Sequence, residues 1–113
     1  MNKLISTLLF SAVCFVPGAA MADAGAGQAK AKQACAACHG ENGDKPLQPE
    51  YPILAGQHRD YLVKVLGDYK SGARKNAIMG GQAQQLSPGE IRDLAEWFYL
   101  ARSLISPGDS CCA

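Results

Sequence analysis

A surplus of charge is the first thing missing from this sequence. Eleven Lys and Arg face ten Asp and Glu, leaving a formal net charge of +1. That near-balance excludes a nucleic-acid binder, which needs a basic surplus gathered on one face. Strand patterning is missing as well: no stretch alternates apolar and polar residues over the length of a strand. With 48% apolar and 19% charged residues, the chain does not have the make-up of a disordered tail. Its 113 residues hold one domain, and composition or length excludes collagen-like, coiled-coil and multi-span membrane architectures. Only one long hydrophobic run exists, and it is interrupted. Leu4 to Val16 is 13 residues, short of the roughly 20 a spanning helix needs, and Pro17-Gly18 ends it.

That run reads as an export address. Met1-Asn2-Lys3 gives a short positive start, and Ala20-Met21-Ala22 supplies the small-x-small pattern a signal peptidase cuts. The alternative is a retained anchor, but the Pro-Gly break leaves it too short. Cys14 is not a lipoprotein site, because Val13 before it is too bulky for that cleavage. Cleavage is expected after Ala22, so residues 1–22 are a signal peptide, 23–106 one domain, and 107–113 a tail. The mature chain, 91 residues from Asp23, loses Lys3 and has a formal net charge of zero. Export also takes its thiols to a compartment where they can be oxidised or otherwise consumed.

Three helical patterns stand out in the mature chain. The first, about Ala24 to Cys38, is rich in the helix formers Ala, Gln and Lys. The second, about Gln57 to Ser71, carries Tyr61, Leu62, Val65, Leu66 and Tyr69 on one stripe, with Gly72 placed to end it. The third starts at Ser87-Pro88-Gly89-Glu90, where Ser87 caps and Glu90 completes a capping box. Ile91, Leu94, Ala95, Phe98 and Arg102 continue it, and Pro107 prevents its extension through the tail. The fold class is therefore all-α. Between the helices lie loops of 17 residues (Gly40 to Gly56) and 14 residues (Ala73 to Leu86). Such loops are unusual in a small domain unless they bind something, and three helices make a thin core. An apolar ligand would account for both.

Cys35-Ala36-Ala37-Cys38-His39 is the C-x-x-C-H attachment sequence of c-type haem. Two thiols three residues apart lie on one side of a helical turn, where each can add to a haem vinyl group. The imidazole that follows is carried under the ring and can bind iron. A thioredoxin-like redox site would need a βαβ setting, which is lacking. A zinc site would need a further ligand, for which only His58 or the tail cysteines are available. For the second axial position, Met79 is the only methionine left after cleavage, 40 residues past His39 and in a loop between helices. The alternative for Met79 is packing on the haem edge without bonding iron. His58 is the rival ligand, but its neighbours Gln57, Arg59 and Asp60 mark a polar, exposed helix start.

These segments together resemble the class I monohaem cytochromes c, and in particular one domain of the cytochrome c4 type. The resemblance runs from about Gly27 to Arg102. It rests on CAACHG (Cys35 to Gly40), YPILAGQ (Tyr51 to Gln57), Tyr69 to Gly81, and LSPGEIRDLAEWF (Leu86 to Phe98). It implies the cytochrome c fold, with three main helices around one haem c held by Cys35 and Cys38, and His39 and Met79 on the iron. It further implies that the Pro52 carbonyl accepts the ring N–H of His39, and that Gly27 and Trp97 let the first and last helices cross. Tyr61 and Tyr69 would line the haem or fill the core, the core being favoured, and Arg74 and Lys75 would meet haem propionates or stand solvated. Cys111-Cys112 departs from the family; adjacent Cα atoms, about 3.8 Å apart, are too close for an unstrained bridge.

The function these features imply is a periplasmic single-electron carrier that performs no bond chemistry and takes no small-molecule substrate. Its expected partners are redox donors and acceptors of the periplasm or inner membrane. Two other readings stand beside it: a haem subunit of a larger periplasmic oxidoreductase, and a gas-binding or catalytic haem protein if the distal position is open.

Overall fold

A computed structural model describes residues 20–105. Most of the expected export address, including Cys14, and the tail with Cys111 and Cys112 lie outside the described residues. In chain order come α1 (Ala24–Ala34), α2 (Ala36–His39), α3 (Arg59–Ser71), α4 (Ala77–Gln84), α5 (Pro88–Leu100) and α6 (Arg102–Ile105). No strand occurs among the described residues, and none of their helices is long and apolar enough to cross a membrane.

The third predicted helix is realised as α5. The Ser87 side chain accepts from Glu90 N, while the Glu90 carboxylate accepts from Ser87 N at 2.8 Å. Pro88 occupies the first turn, where no N–H is required. The helix stops at Leu100, so Arg102 belongs to α6 and not to one continuous helix. The second predicted helix begins at Arg59 and closes at Gly72, whose φ of 80° reverses the chain.

Two expectations about elements are corrected. The single helix drawn to Cys38 is interrupted at Cys35, where φ is −112°, and restarts as the one-turn α2. The stretch Ala73 to Leu86 is not a loop throughout: residues 77–84 form α4. Asn76 is the reason, since its side-chain oxygen accepts from both Ile78 N and Met79 N at 3.0 Å. An N-cap of this kind contributes about 1 kcal/mol, enough to offset one of the two glycines inside the helix. Met79 therefore stands on a helix, not in a loop.

The core is built on α5, which packs on α1 and α3, while α4 packs on α3. Ile91, Leu94, Ala95, Trp97 and Phe98 of α5 are buried with Ala31 of α1, Leu62 of α3 and Leu86. At the α1–α5 crossing the helices all but touch. A Cβ on Gly27 would fall on the Asp93 carbonyl and lie 3.0 Å from Trp97 Cβ. Nothing larger than glycine fits there. Trp97 fills the crossing beside it, although its indole N–H finds no hydrogen-bond partner. Tyr61 does not join this core: it is 48% exposed, and Tyr69 is half-buried. Only Leu62 of the α3 stripe turns fully inward. Of its other members, Val65, Leu66 and Tyr69 are half-buried, and Leu66 packs against the core cluster.

Candidate functional site

The segment after α2 folds back on the C-x-x-C-H turn. Leu47 N donates to Cys38 O at 2.9 Å, and Leu54 N to Gly43 O at 2.7 Å. Gly43 is buried with φ of 73°, and a Cβ there would stand 2.8 Å from the Phe98 ring. This contact ties the loop to α5, and through it the loop delivers the Pro52 carbonyl to His39. His39 Nδ1 lies 2.9 Å from Pro52 O, so the ring donates there. The remaining nitrogen, Nε2, has no protein hydrogen-bond partner among the described residues. A histidine with Nδ1–H so committed presents Nε2 as a neutral donor to a metal. His39 is buried, and the Tyr51 ring stands beside it with centroids 6.1 Å apart.

Cys35 and Cys38 are both thiols, each half-buried. Burial pushes the Cys35 thiol up to about 11, against a smaller lowering effect of Lys30, so it is protonated at neutral pH. No three His, Cys, Asp or Glu side chains converge to hold a metal ion among the described residues. The structure thus brings Cys35, Cys38, His39 and Pro52 together in one turn and its folded-back loop.

The other site candidates stand elsewhere. Met79 is half-buried on α4. No protein atom demands glycine at Gly80 or Gly81; a Cβ on Gly80 would come no closer than 3.9 Å to Tyr69 O. Arg74 and Lys75 border an open cavity of about 310 Å³ with Tyr69 and Asn76, and neither His39 nor the cysteines line it. The Arg74 guanidinium lies over the Tyr69 ring, 5.1 Å from its centroid. Hydrogen bonding to Tyr61, then the charge of Tyr69, would raise its pKa further above an already high value. His58 is exposed at the start of α3. Two contributors were missed from sequence: Tyr51, beside His39, and Asn76, which sets the backbone of Met79. Asn76 carried a readable signal, a capping residue immediately before Ala-Ile-Met.

These residues fit a covalent haem. The thiols, the oriented imidazole and a thioether are the donors it takes, and its apolar faces need apolar lining. The segments carrying the donors supply that lining: Leu47 and Ile53 from the loop after α2, and Ile78 beside Met79, are 74%, 59% and 59% exposed.

Comparison with known proteins agrees. The cytochrome c family model matches residues 24–99. Cytochrome c4 of Pseudomonas aeruginosa is 39% identical over 96% of this chain and 53% of its own length. Cytochrome c-554(548) of Halomonas halodenitrificans is 42% identical over 67% of this chain and 93% of its own. The crystal structure of reduced recombinant cytochrome c4 from Pseudomonas stutzeri superposes with a TM-score of 0.63 at 39% identity, covering 69% of this chain and 45% of that one. The chain thus spans about half the length of the cytochromes c4 it matches. With the C-x-x-C-H turn, the buried histidine and these matches in agreement, the chain belongs to the cytochrome c family and carries a covalently attached haem c.

Proposed function

We propose that the chain is an exported single-electron carrier whose haem is held by Cys35 and Cys38 and ligated by His39 and Met79. The observation that carries this reading is the 2.9 Å contact between His39 Nδ1 and Pro52 O directly beside the two thiols. It fixes the imidazole in one tautomer and one orientation before any iron is considered, and raises the basicity of Nε2. Bound there, haem supplies a one-electron ferric–ferrous couple. The chain's part is to keep that couple closed to other chemistry. Two thioether links prevent loss of the group, His39 is shielded from solvent, and the soft Met79 sulfur favours the reduced iron. Were His39 and Met79 both to hold the iron, no place would remain on it for a substrate, and the protein would perform no bond chemistry of its own.

Residues 1–22 act as the export signal, cut after Ala22, and the product works in the periplasm. Its partners are redox proteins of the periplasm or inner membrane. A relative from Thiomonas intermedia, 41% identical over 57% of this chain and 30% of its own length, is named a thiosulfate dehydrogenase electron acceptor, a role of the same kind. The test is a redox titration and visible spectrum of the haem-loaded protein, with carbon monoxide added to the reduced form. A single one-electron wave and slow or absent carbon monoxide binding are expected. Rapid, tight binding of carbon monoxide would replace this reading with a gas-binding or catalytic one. Stable co-purification with a larger enzyme would make the chain its haem subunit.

A further inference from the structure

Asp23 caps α1 with its side chain, which accepts from Gly25 N at 2.8 Å and Ala26 N at 3.2 Å. Its own backbone nitrogen points elsewhere. Asp23 N donates to Asp93 Oδ1 on α5 at 2.8 Å, a contact between residues 70 apart in sequence. Asp93 is half-buried, and no Lys or Arg side chain pairs with it among the described residues. A half-buried carboxylate whose one recorded protein partner is a neutral amide can still gain from a charged donor at the same place. The residues just before Asp23 are not part of any helix, and Met21 is 89% exposed.

We propose that signal processing completes this contact: the α-ammonium released on Asp23 is the counter-charge of Asp93, so removal of the leader fastens α1 to α5. The inference rests on the reading of residues 1–22 as a signal cut after Ala22. In the cleavage, a signal peptidase adds water across the Ala22–Asp23 peptide bond. Ala22 leaves as a carboxylate, and the Asp23 nitrogen takes up protons to become an ammonium. A neutral N–H···O⁻ bond then becomes a charge-assisted one with three donors in place of one. The positive end of the α1 dipole opposes an ammonium at this place. Two carboxylates, those of Asp23 and Asp93, stand against that single opposing effect, so the pair is favoured. The ammonium also lies one turn from Gly27, where α1 and α5 are closest, and Lys30 reaches Glu90 of α5 at 2.9 Å one turn further on. The crossing is thus clasped by charge on both sides of its apolar contact.

The experiment uses haem-loaded protein with defined starts: one chain beginning at Asp23 and one beginning at Ala22, each with Asp93 or with Asp93→Asn. The longer start keeps the Asp23 amide bond but moves the ammonium away by one residue. Asparagine keeps an acceptor oxygen, so the variants are expected to fold. Asp93→Asn should lower the folding equilibrium constant about two- to fivefold more in the Asp23 start than in the Ala22 start, the range of an exposed pair. Equal losses in the two starts would overturn the pair, leaving an ordinary amide bond. Intact mass of the protein exported from its full-length chain tests the underlying reading separately. A mature start at any residue other than Asp23 overturns the processing step, whatever the four-protein comparison shows.

Discussion

The most consequential single atom in this reading is the Met79 sulfur. Thioether sulfur suits ferrous iron, and the proposed cleavage after Ala22 would leave Met79 as the only methionine. Replacing Met79 with Ala should leave the haem attached through Cys35 and Cys38. It should lower the midpoint potential, remove the iron–sulfur charge-transfer band, and open the reduced iron to carbon monoxide. A variant that kept the band and stayed closed would transfer the ligand role to His58. The same scale shows what sequence could and could not resolve. The identity of His39 follows from C-x-x-C-H, because the spacing itself puts the imidazole beside the thiols. The setting of Met79 does not, since Gly80-Gly81 reads as loop chemistry and the Asn76 cap that overrides it is a local hydrogen bond. Tyr61 misled for a different cause. It lies on the same stripe as Leu62, and periodicity alone cannot say how much of a stripe the partner helix covers.

Among the elements, α5 organises the fold, and its start carries a pH signature. The Glu90 carboxyl is held at about 2, well below its ordinary 4.5, by the Ser87 backbone N–H first and by Lys30 and the Ser87 hydroxyl after it. A carboxylate lowered in the folded state contributes stability that is fully present above about 4.5 and lost as pH falls towards 2. Glu90→Gln should therefore lower the thermal midpoint at pH 6, with the gap from the parent protein narrowing between pH 4.5 and pH 2. Thermal melts of both proteins across that range measure it; a gap independent of pH would assign the effect to packing. The other end of the α1–α5 contact is steric. Gly27→Ala drives a methyl into the Asp93 backbone carbonyl, and backbone cannot rotate away as a side chain can. Separation of the helices should cost about 1–3 kcal/mol, read as a lower denaturant midpoint of the haem-loaded protein. α5 was legible because every one of its signals agrees: cap, proline, capping box and apolar face. α1 was drawn too long because its Ala-rich composition continues past the residue where the backbone turns.

At the scale of the whole molecule, charge is balanced in number, and three ion pairs hold part of it among the described residues. Lys30 meets Glu90, Arg59 meets Glu96, and Lys64 meets Asp68 four residues along the same helix. Each pair cancels within a few ångströms, and the formal net charge is +1 for the full chain and would be zero after the proposed cleavage, before the haem propionates are counted. A net charge this close to zero gives little long-range attraction beyond the Debye length of about 8 Å at physiological salt. The surface left to a partner is whatever part of the exposed apolar side chains Leu47, Ile53 and Ile78 the haem leaves uncovered. A partner docking over that surface would be held by contact area, with orientation set by shape more than by charge. The rate of electron transfer to a redox partner should accordingly change little with salt. Between 10 and 200 mM ionic strength a change below about threefold is expected, against the ten- to thousandfold range of strongly steered pairs. Stopped-flow mixing of the reduced protein with an oxidised partner measures it directly. A steep fall with salt would mean that Arg74, Lys75 and the propionates together form a charged docking patch. A shallow one leaves the apolar rim as the surface through which the electron leaves.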